Sequence, residues 1–180
     1  NRIKHHINVT LSMRHKRHIG SLYFYLICRG VLHTPTLPLL KKLPLAFFAG
    51  VKLINIDDQG SSTSLKFKWI NQNPFHSIYF AAMQMAAELA TGLLLFQYRS
   101  SATPFSMLLL RVEAEYHKKA VGKITFSCNE GNNVQSYINM IFSGNEGRVI
   151  SMPVMAHNEN GDLVADFIFS WSCKNTSSAN

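Results

Sequence analysis

Residues 70–96 read INQNPFHSIYFAAMQMAAELATGLLLF, and their reading decides how the rest of the chain must be arranged. A polar loop, Asn71-Gln72-Asn73-Pro74-Phe75-His76-Ser77, leads into an apolar segment whose one charge is Glu88. Pro74 biases Asn73 away from helical angles, so the loop precedes the helix instead of forming its first turn. Ser77 is the expected N-cap of a helix that starts near Ile78 and runs to Phe96, a length of about 27 Å. That helix has no polar face, and a helix apolar all round is buried. Ala81, Ala82, Ala86, Ala87, Ala90 and Gly92 would let other elements pack close to its backbone. About 20 apolar residues can also cross a bilayer. Gln84 and Glu88 argue against a span here, since a carboxylate at the bilayer centre costs several kcal/mol.

Burial would raise the pKa of Glu88 unless something pairs with it. The residues alone leave two readings open. Glu88 is a core glutamate satisfied by backbone donors or a subunit interface, or it is a general base or nucleophile.

The flanks read as strands. Val51 to Asp57 is one, followed by a turn at Asp58-Gln59-Gly60-Ser61. Leu65-Lys66-Phe67-Lys68-Trp69 alternates, with Leu, Phe and Trp expected inward. After a loop from Tyr98 to Pro104, Met107 to Tyr116 alternates again. Leu108, Leu110, Val112, Ala114 and Tyr116 share one face, and Arg111, Glu113, Glu115 and His117 make a solvated one. Val121 to Cys128 is a further strand, with Ile124, Phe126 and Cys128 on one side, and Asn129-Glu130-Gly131 is its turn. Asn132 or Asn133 is expected to cap a second helix carrying Val134, Tyr137, Ile138, Ile141 and Phe142, stopped by Gly144. Val149 to His157 and Leu163 to Cys173 form a hairpin, with Asn160-Gly161 signalling a type I′ turn. Pro35 to Gly50, broken by Pro38 and Pro44, reads as a short helix or a pair of helical turns, packing on the sheet or covering a ligand tunnel. About six strands and one long helix inserted after the second make an α+β chain, a curved antiparallel sheet wrapped round a helix.

Asn73-Pro74-Phe75-His76-Ser77-Ile78-Tyr79-Phe80, then Ala86-Ala87-Glu88-Leu89-Ala90-Thr91-Gly92, resembles the central motif of a thioesterase-like hotdog family known mainly as a domain of unknown function. That motif runs N-P-F-G-S-M-Y-F-G-A, then A-E-L-A-T-G. The likeness continues through Lys123 to Cys128 and Phe167 to Ser172, and covers about residues 36 to 174. The spacing is also similar to the phenylacetyl-CoA thioesterase branch, where an Asn precedes a His-Gly-Gly and an acid follows. On that pattern Asn73 falls at the Asn, Tyr79 at the His, Phe80 and Ala81 at the Gly pair, and Glu88 at the acid. The His-Gly-Gly itself is missing, and His76 and Ala81 stand where the domain-of-unknown-function family usually has Gly.

The resemblance implies a hotdog fold and hydrolysis of an acyl thioester without metal or cofactor, the coenzyme A or acyl-carrier thioester being the substrate. Glu88 and Asn73 would be the catalytic residues, with Asn73 holding the water or the carbonyl. His76, Ser77, Tyr79, Phe80, Ala81 and Thr91 would bind substrate, with the Phe80 and Ala81 N–H groups at the carbonyl oxygen. Glu88 lies nine residues, about 13.5 Å, along the helix from Tyr79. One chain cannot easily bring both ends to one carbonyl, so a two-fold homodimer with a shared site is expected, or a dimer of dimers. Two alternatives stand beside this. One is a non-catalytic acyl-CoA or lipid-binding hotdog module. The other is a hotdog enoyl-CoA hydratase, whose D-x-N-P-L-H motif Asn71-Gln72-Asn73-Pro74-Phe75-His76 resembles. There the Asp and His are the catalytic pair, so the match would make His76 catalytic, but Asn71 stands at the Asp and cannot act as a base.

Charge divides the chain unevenly. Of 18 Lys and Arg, residues 1–34 hold six and no acid, and the remaining twelve face ten acids. Residues 1–34 are therefore expected to be a basic extension outside the core, 35–174 the hotdog domain and 175–180 a polar tail. A nucleic-acid surface is not expected on the core. The apolar run Ile19 to Leu32 follows basic residues like a secretory signal, but Arg29 interrupts it and no clean small-x-small site follows. Three cysteines without metal spacing, Cys28, Cys128 and Cys173, suggest reduced thiols and a cytoplasmic setting.

Overall fold

The computed structural model describes residues 41–100, 102–144 and 146–177. The expectations for residues 1–34, for Pro35 to Leu40 and for Cys28 lie outside them.

The elements run α1 (Pro44–Ala49), β1 (Val51–Ile56), β2 (Ser61–Lys66), a 3-10 turn (Trp69–Asn71), α2 (Phe80–Phe96), β3 (Phe105–Tyr116), β4 (Lys123–Cys128), α3 (Gly131–Ser143), β5 (Arg148–His157) and β6 (Leu163–Asn175). Six strands form one antiparallel sheet in the order β1-β2-β4-β5-β6-β3. α2 packs against β1, β2, β4, β5 and β6, so the sheet wraps it as the hotdog arrangement requires. Ten of its 17 residues are buried. They meet Leu65, Ile124, Phe126, Phe167 and Phe169, all almost fully buried. Each such side chain contributes about 1.5–3 kcal/mol over an exposed one. No helix among the described residues is long and apolar enough to cross a membrane.

α2 begins at Phe80, two residues later than the sequence suggests, and Ser77 does not cap it. The backbone takes another route first. The Ile78 N–H donates to Ala120 O at 2.8 Å and the Tyr79 N–H to Asn71 O at 2.8 Å. These bonds hold residues 78 and 79 extended, so the first helical turn forms behind Tyr79.

β2 starts at Ser61, where a turn was expected, and its inward face carries hydroxyls. Thr63 Oγ1 donates to Ala86 O at 2.7 Å, and Ser61 Oγ donates to Ala90 O. The alternation expected to put Trp69 inward ends early. Leu65 is buried, but Trp69 lies in the 3-10 turn and is 82% exposed.

β3 differs in a second way. Leu109 opposes Trp171 while Arg111 opposes Ser170, so Leu110 is an extra residue in the ladder. A one-residue slip exchanges the faces of a strand. Met107 and Leu109 pack on the core before it, Val112 after it, and Leu108 and Leu110 are exposed.

α3 starts at Gly131, ahead of the Asn132 and Asn133 caps expected for it. The Gly131 N–H donates to Gln59 O at 3.0 Å, and a Cβ there would lie 2.0 Å from Asp58 O, so only glycine fits. Val134, Tyr137, Ile138 and Ile141 are buried as their spacing requires, and Gly144 follows the last turn. In the β5–β6 hairpin only Gly161 has positive φ, so the turn is not type I′. Asn158 organises it: its Oδ1 accepts the N–H groups of Asn160 and Asp162, at 3.0 and 2.9 Å. Ala165, Phe167, Phe169 and Trp171 line the inner face of β6.

Candidate functional site

The residues of α2 that are not buried, Phe80, Ala81, Gln84, Met85, Glu88, Gly92 and Phe96, recur at spacings of one, three and four and lie along one side. Glu88 sits in the middle of that stripe. Beneath α1 it meets a pocket of about 260 Å³, walled by Lys42, Leu43, Pro44, Leu45 and Ala46 on one side and Met85 and Leu89 on the other. Lys42 lines the pocket but makes no ion pair with Glu88. Among the described residues no donor or cation pairs with its carboxylate. Burial alone pushes its pKa above the ordinary glutamate value of 4.5. A carboxyl in this state is poised to take a proton nearer neutrality.

The backbone around Glu88 is held firmly. Its carbonyl accepts the Thr91 hydroxyl at 2.9 Å, and Thr91 Oγ1 accepts the Trp171 indole N–H at 3.0 Å. Thr91 is fully buried, so it supports the helix from within.

The loop before α2 closes on itself. Asn73 Oδ1 accepts the N–H of Phe75 at 2.9 Å and of Ser77 at 3.2 Å, while its Nδ2 donates to Ser77 Oγ at 2.9 Å. Asn73 and Ser77 are both buried. His76 is exposed and has φ 56°, the left-handed region where a glycine costs least. That is a position where the resembled motif carries Gly. Tyr79 and Phe80 are each about half exposed. The Phe80 ring lies 4.4 Å from that of Tyr116, whose phenol burial holds above its usual pKa. The N–H groups of Phe80 and Ala81 have no backbone acceptor among the described residues, as expected for the first turn of a helix. They point a positive dipole end and two free donors outward.

Asn73, His76, Ser77, Tyr79, Phe80 and Ala81 thus gather at one end of α2, with Glu88 eight residues beyond Phe80. At 1.5 Å per residue that is about 12 Å, too far for both to touch one reacting carbonyl within a single chain.

Asn71 is an amide with three internal bonds. Its Nδ2 donates to Ala49 O and Lys66 O, and its Oδ1 accepts the Lys68 N–H, all at 2.9 Å. It ties α1 to β2. Elsewhere, the donor atoms of Glu115, His117 and Asp166 lie within 4.8 Å of one another on β3, the residue after it and β6. This is the one grouping with metal-ligand chemistry among the described residues, and His117 Nε2 lies 2.5 Å from Asp166 Oδ2. The sequence reading saw Glu115 and His117 as a solvated face and missed Asp166, because cross-strand pairing sets that contact.

No family model matches the chain, and no curated protein matches it. Solved structures do. A Pseudomonas aeruginosa protein of unknown function, described as a probable thioesterase, aligns with a TM-score of 0.66 at 18% identity, over 76% of this chain and 92% of its own. A putative thioesterase from Shewanella oneidensis gives 0.63 at 14% identity, over 76% and 92%. A Chlorobaculum tepidum protein of unknown function gives 0.68 at 11% identity, over 82% and 94%. At such identities the likeness speaks for the backbone and not for the chemistry: this chain has the hotdog fold, and shares it with proteins described as probable thioesterases.

Proposed function

We propose that the protein hydrolyses acyl thioesters, with Glu88 as the base. The observation that carries this reading is an unpaired, half-buried carboxylate on the wall of an apolar pocket, its pKa raised by burial. An ionised Glu88 takes a proton from a water as that water attacks the thioester carbonyl. The carbonyl oxygen becomes an oxyanion. As the intermediate collapses the C–S bond breaks, and protonated Glu88 gives its proton to the leaving sulfur, so that the thiol departs and the carboxylate is restored. Phe80 and Ala81 supply two N–H donors for the oxyanion from the N-terminus of a second copy's α2. Asn73 holds the loop that presents them, and His76, Tyr79 and Phe80 border the entrance.

Two features support a two-fold dimer with sites shared between copies. The 12 Å separation leaves each chain with half a site. β3 is a long edge strand, and such edges are ready to pair with another chain. Free, buried Cys128 and Cys173 are compatible with a reducing, cytoplasmic setting.

The test is hydrolysis of a panel of acyl-CoA thioesters by the parent and by Glu88→Gln. The parent should turn over at least one, and the variant should be slower by about 100-fold or more, the range for loss of a positioned base. Equal rates would remove Glu88 from the chemistry. Tight binding without turnover would assign the chain as an acyl-binding module instead.

A further inference from the structure

The pocket at Glu88 has a definite chemical character. Its walls are Leu43, Pro44, Leu45, Ala46, Met85 and Leu89, with Lys42 as the other charged residue besides Glu88. Among the described residues that line it there is neither an aromatic ring to stack on nor a hydroxyl or amide to read a polar substituent. One wall is α1, a six-residue helix that begins at a proline and ends at Gly50 with φ 90°. We propose that this pocket is the acyl subsite, that it takes straight aliphatic chains in preference to aromatic acyl groups, and that α1 sets their maximum length. The proposal deepens the acyl-thioester reading by naming the substrate class of the same site.

Size sets the limit. A cavity of about 150 Å³ accommodates benzene, six carbons, so 260 Å³ corresponds to roughly ten carbon atoms. Flexible Met85 and branched Leu45 and Leu89 adapt to a chain, and a chain of methylenes asks for no hydrogen bonds there. Glu88 stands at the same wall, so the chain runs from the carboxylate along the groove between α1 and α2. Leu45 is 71% exposed although it lines the pocket, so a larger residue there narrows the space without disturbing the core.

The experiment uses S-alkyl-CoA thioethers from butyl to hexadecyl, and S-(2-phenylethyl)-CoA, with binding measured by calorimetry on the full chain. These probes cannot be hydrolysed, so the result is independent of turnover. Affinity should rise about fourfold for each added methylene, up to roughly ten carbons, and then level off. Leu45→Trp should move the break to shorter chains and weaken the decyl analogue at least about tenfold, the loss of two methylenes, with the butyl analogue unchanged. Met85→Trp, from the opposite wall, should do the same. Affinity that ignores chain length, a break unmoved by both variants, or phenylethyl binding as tight as the best alkyl probe would overturn the proposal. A chain-length break with no hydrolysis of any thioester would leave the subsite standing and sink the hydrolase reading.

Discussion

The two ends of α2 handle polar groups in opposite ways. Before the helix, Asn73 and Ser77 are buried and every polar atom of the Asn73 side chain is engaged within its own loop. In the middle of the helix, Glu88 is half buried and its carboxylate has no partner among the described residues. A buried polar group whose bonds are closed shapes the backbone. A partly buried one whose bonds are open keeps its reactivity for something that is not part of the chain. The contrast separates residues that shape the loop from the residue proposed to act as the base.

Substitutions at the two ends should therefore dissociate. Asn73→Ala is expected to cost about 3 kcal/mol of stability, because it strands the N–H groups of Phe75 and Ser77. Urea unfolding would measure it. Glu88→Gln should leave the midpoint unchanged or raise it, since a carboxylate that is costly to bury becomes an amide. If both variants destabilise alike, Glu88 is part of the framework and the contrast fails.

A smaller effect is expected at His76. Its left-handed backbone costs an ordinary residue about 1–2 kcal/mol, of which glycine's greater freedom in the unfolded chain takes back a part. His76→Gly should gain about 0.5–1 kcal/mol and leave turnover nearly unchanged, as should His76→Ala in turnover. A collapse of turnover in either would make the imidazole a chemical group, as the hydratase-like pattern has it.

The finest distinction is in pH. In the proposed mechanism Glu88 is the base and must be ionised, so turnover should fall as pH drops through its raised pKa, with the acid limb above 4.5. Stability runs the other way. The folded chain holds the Glu88 proton more tightly than the unfolded chain does. The cost of ionising it is absent below the unfolded pKa and complete above the folded one. The parent should therefore lose a little stability as pH rises through that window, relative to Glu88→Gln. Parallel titration curves for the two would mean that Glu88 ionises normally.

Much of this was legible in the sequence, for identifiable reasons. α2 announced itself because 17 residues with one charge leave few other readings, and Glu88 stood out for the same reason. β4 and β6 alternated cleanly. β2 did not, since Ser61 and Thr63 look like turn residues until the helix carbonyls they bind are known. The slip at Leu110 was invisible because the sequence around it alternates on either register. At the site, Asn73 was recognisable as special, but its closed set of bonds exists only in the folded loop. That the stretch Pro35 to Gly50 packs on the sheet or covers a ligand tunnel was an expectation from its leucines, phenylalanines and prolines; the meeting of α1 with Met85 and Leu89 was not.

The hydroxyls on the inner side of β2 have a consequence for Glu88. A helix that is greasy all the way round carries little information about which side should look out, since rotating it by a third of a turn exchanges one alanine for another. Ser61 and Thr63 grip the carbonyls of Ala90 and Ala86, and Thr91, steadied by Trp171, grips that of Glu88. Three successive alternate carbonyls are thereby indexed, like a shaft keyed to its housing. The direction in which the carboxylate faces is set by side chains that never touch it.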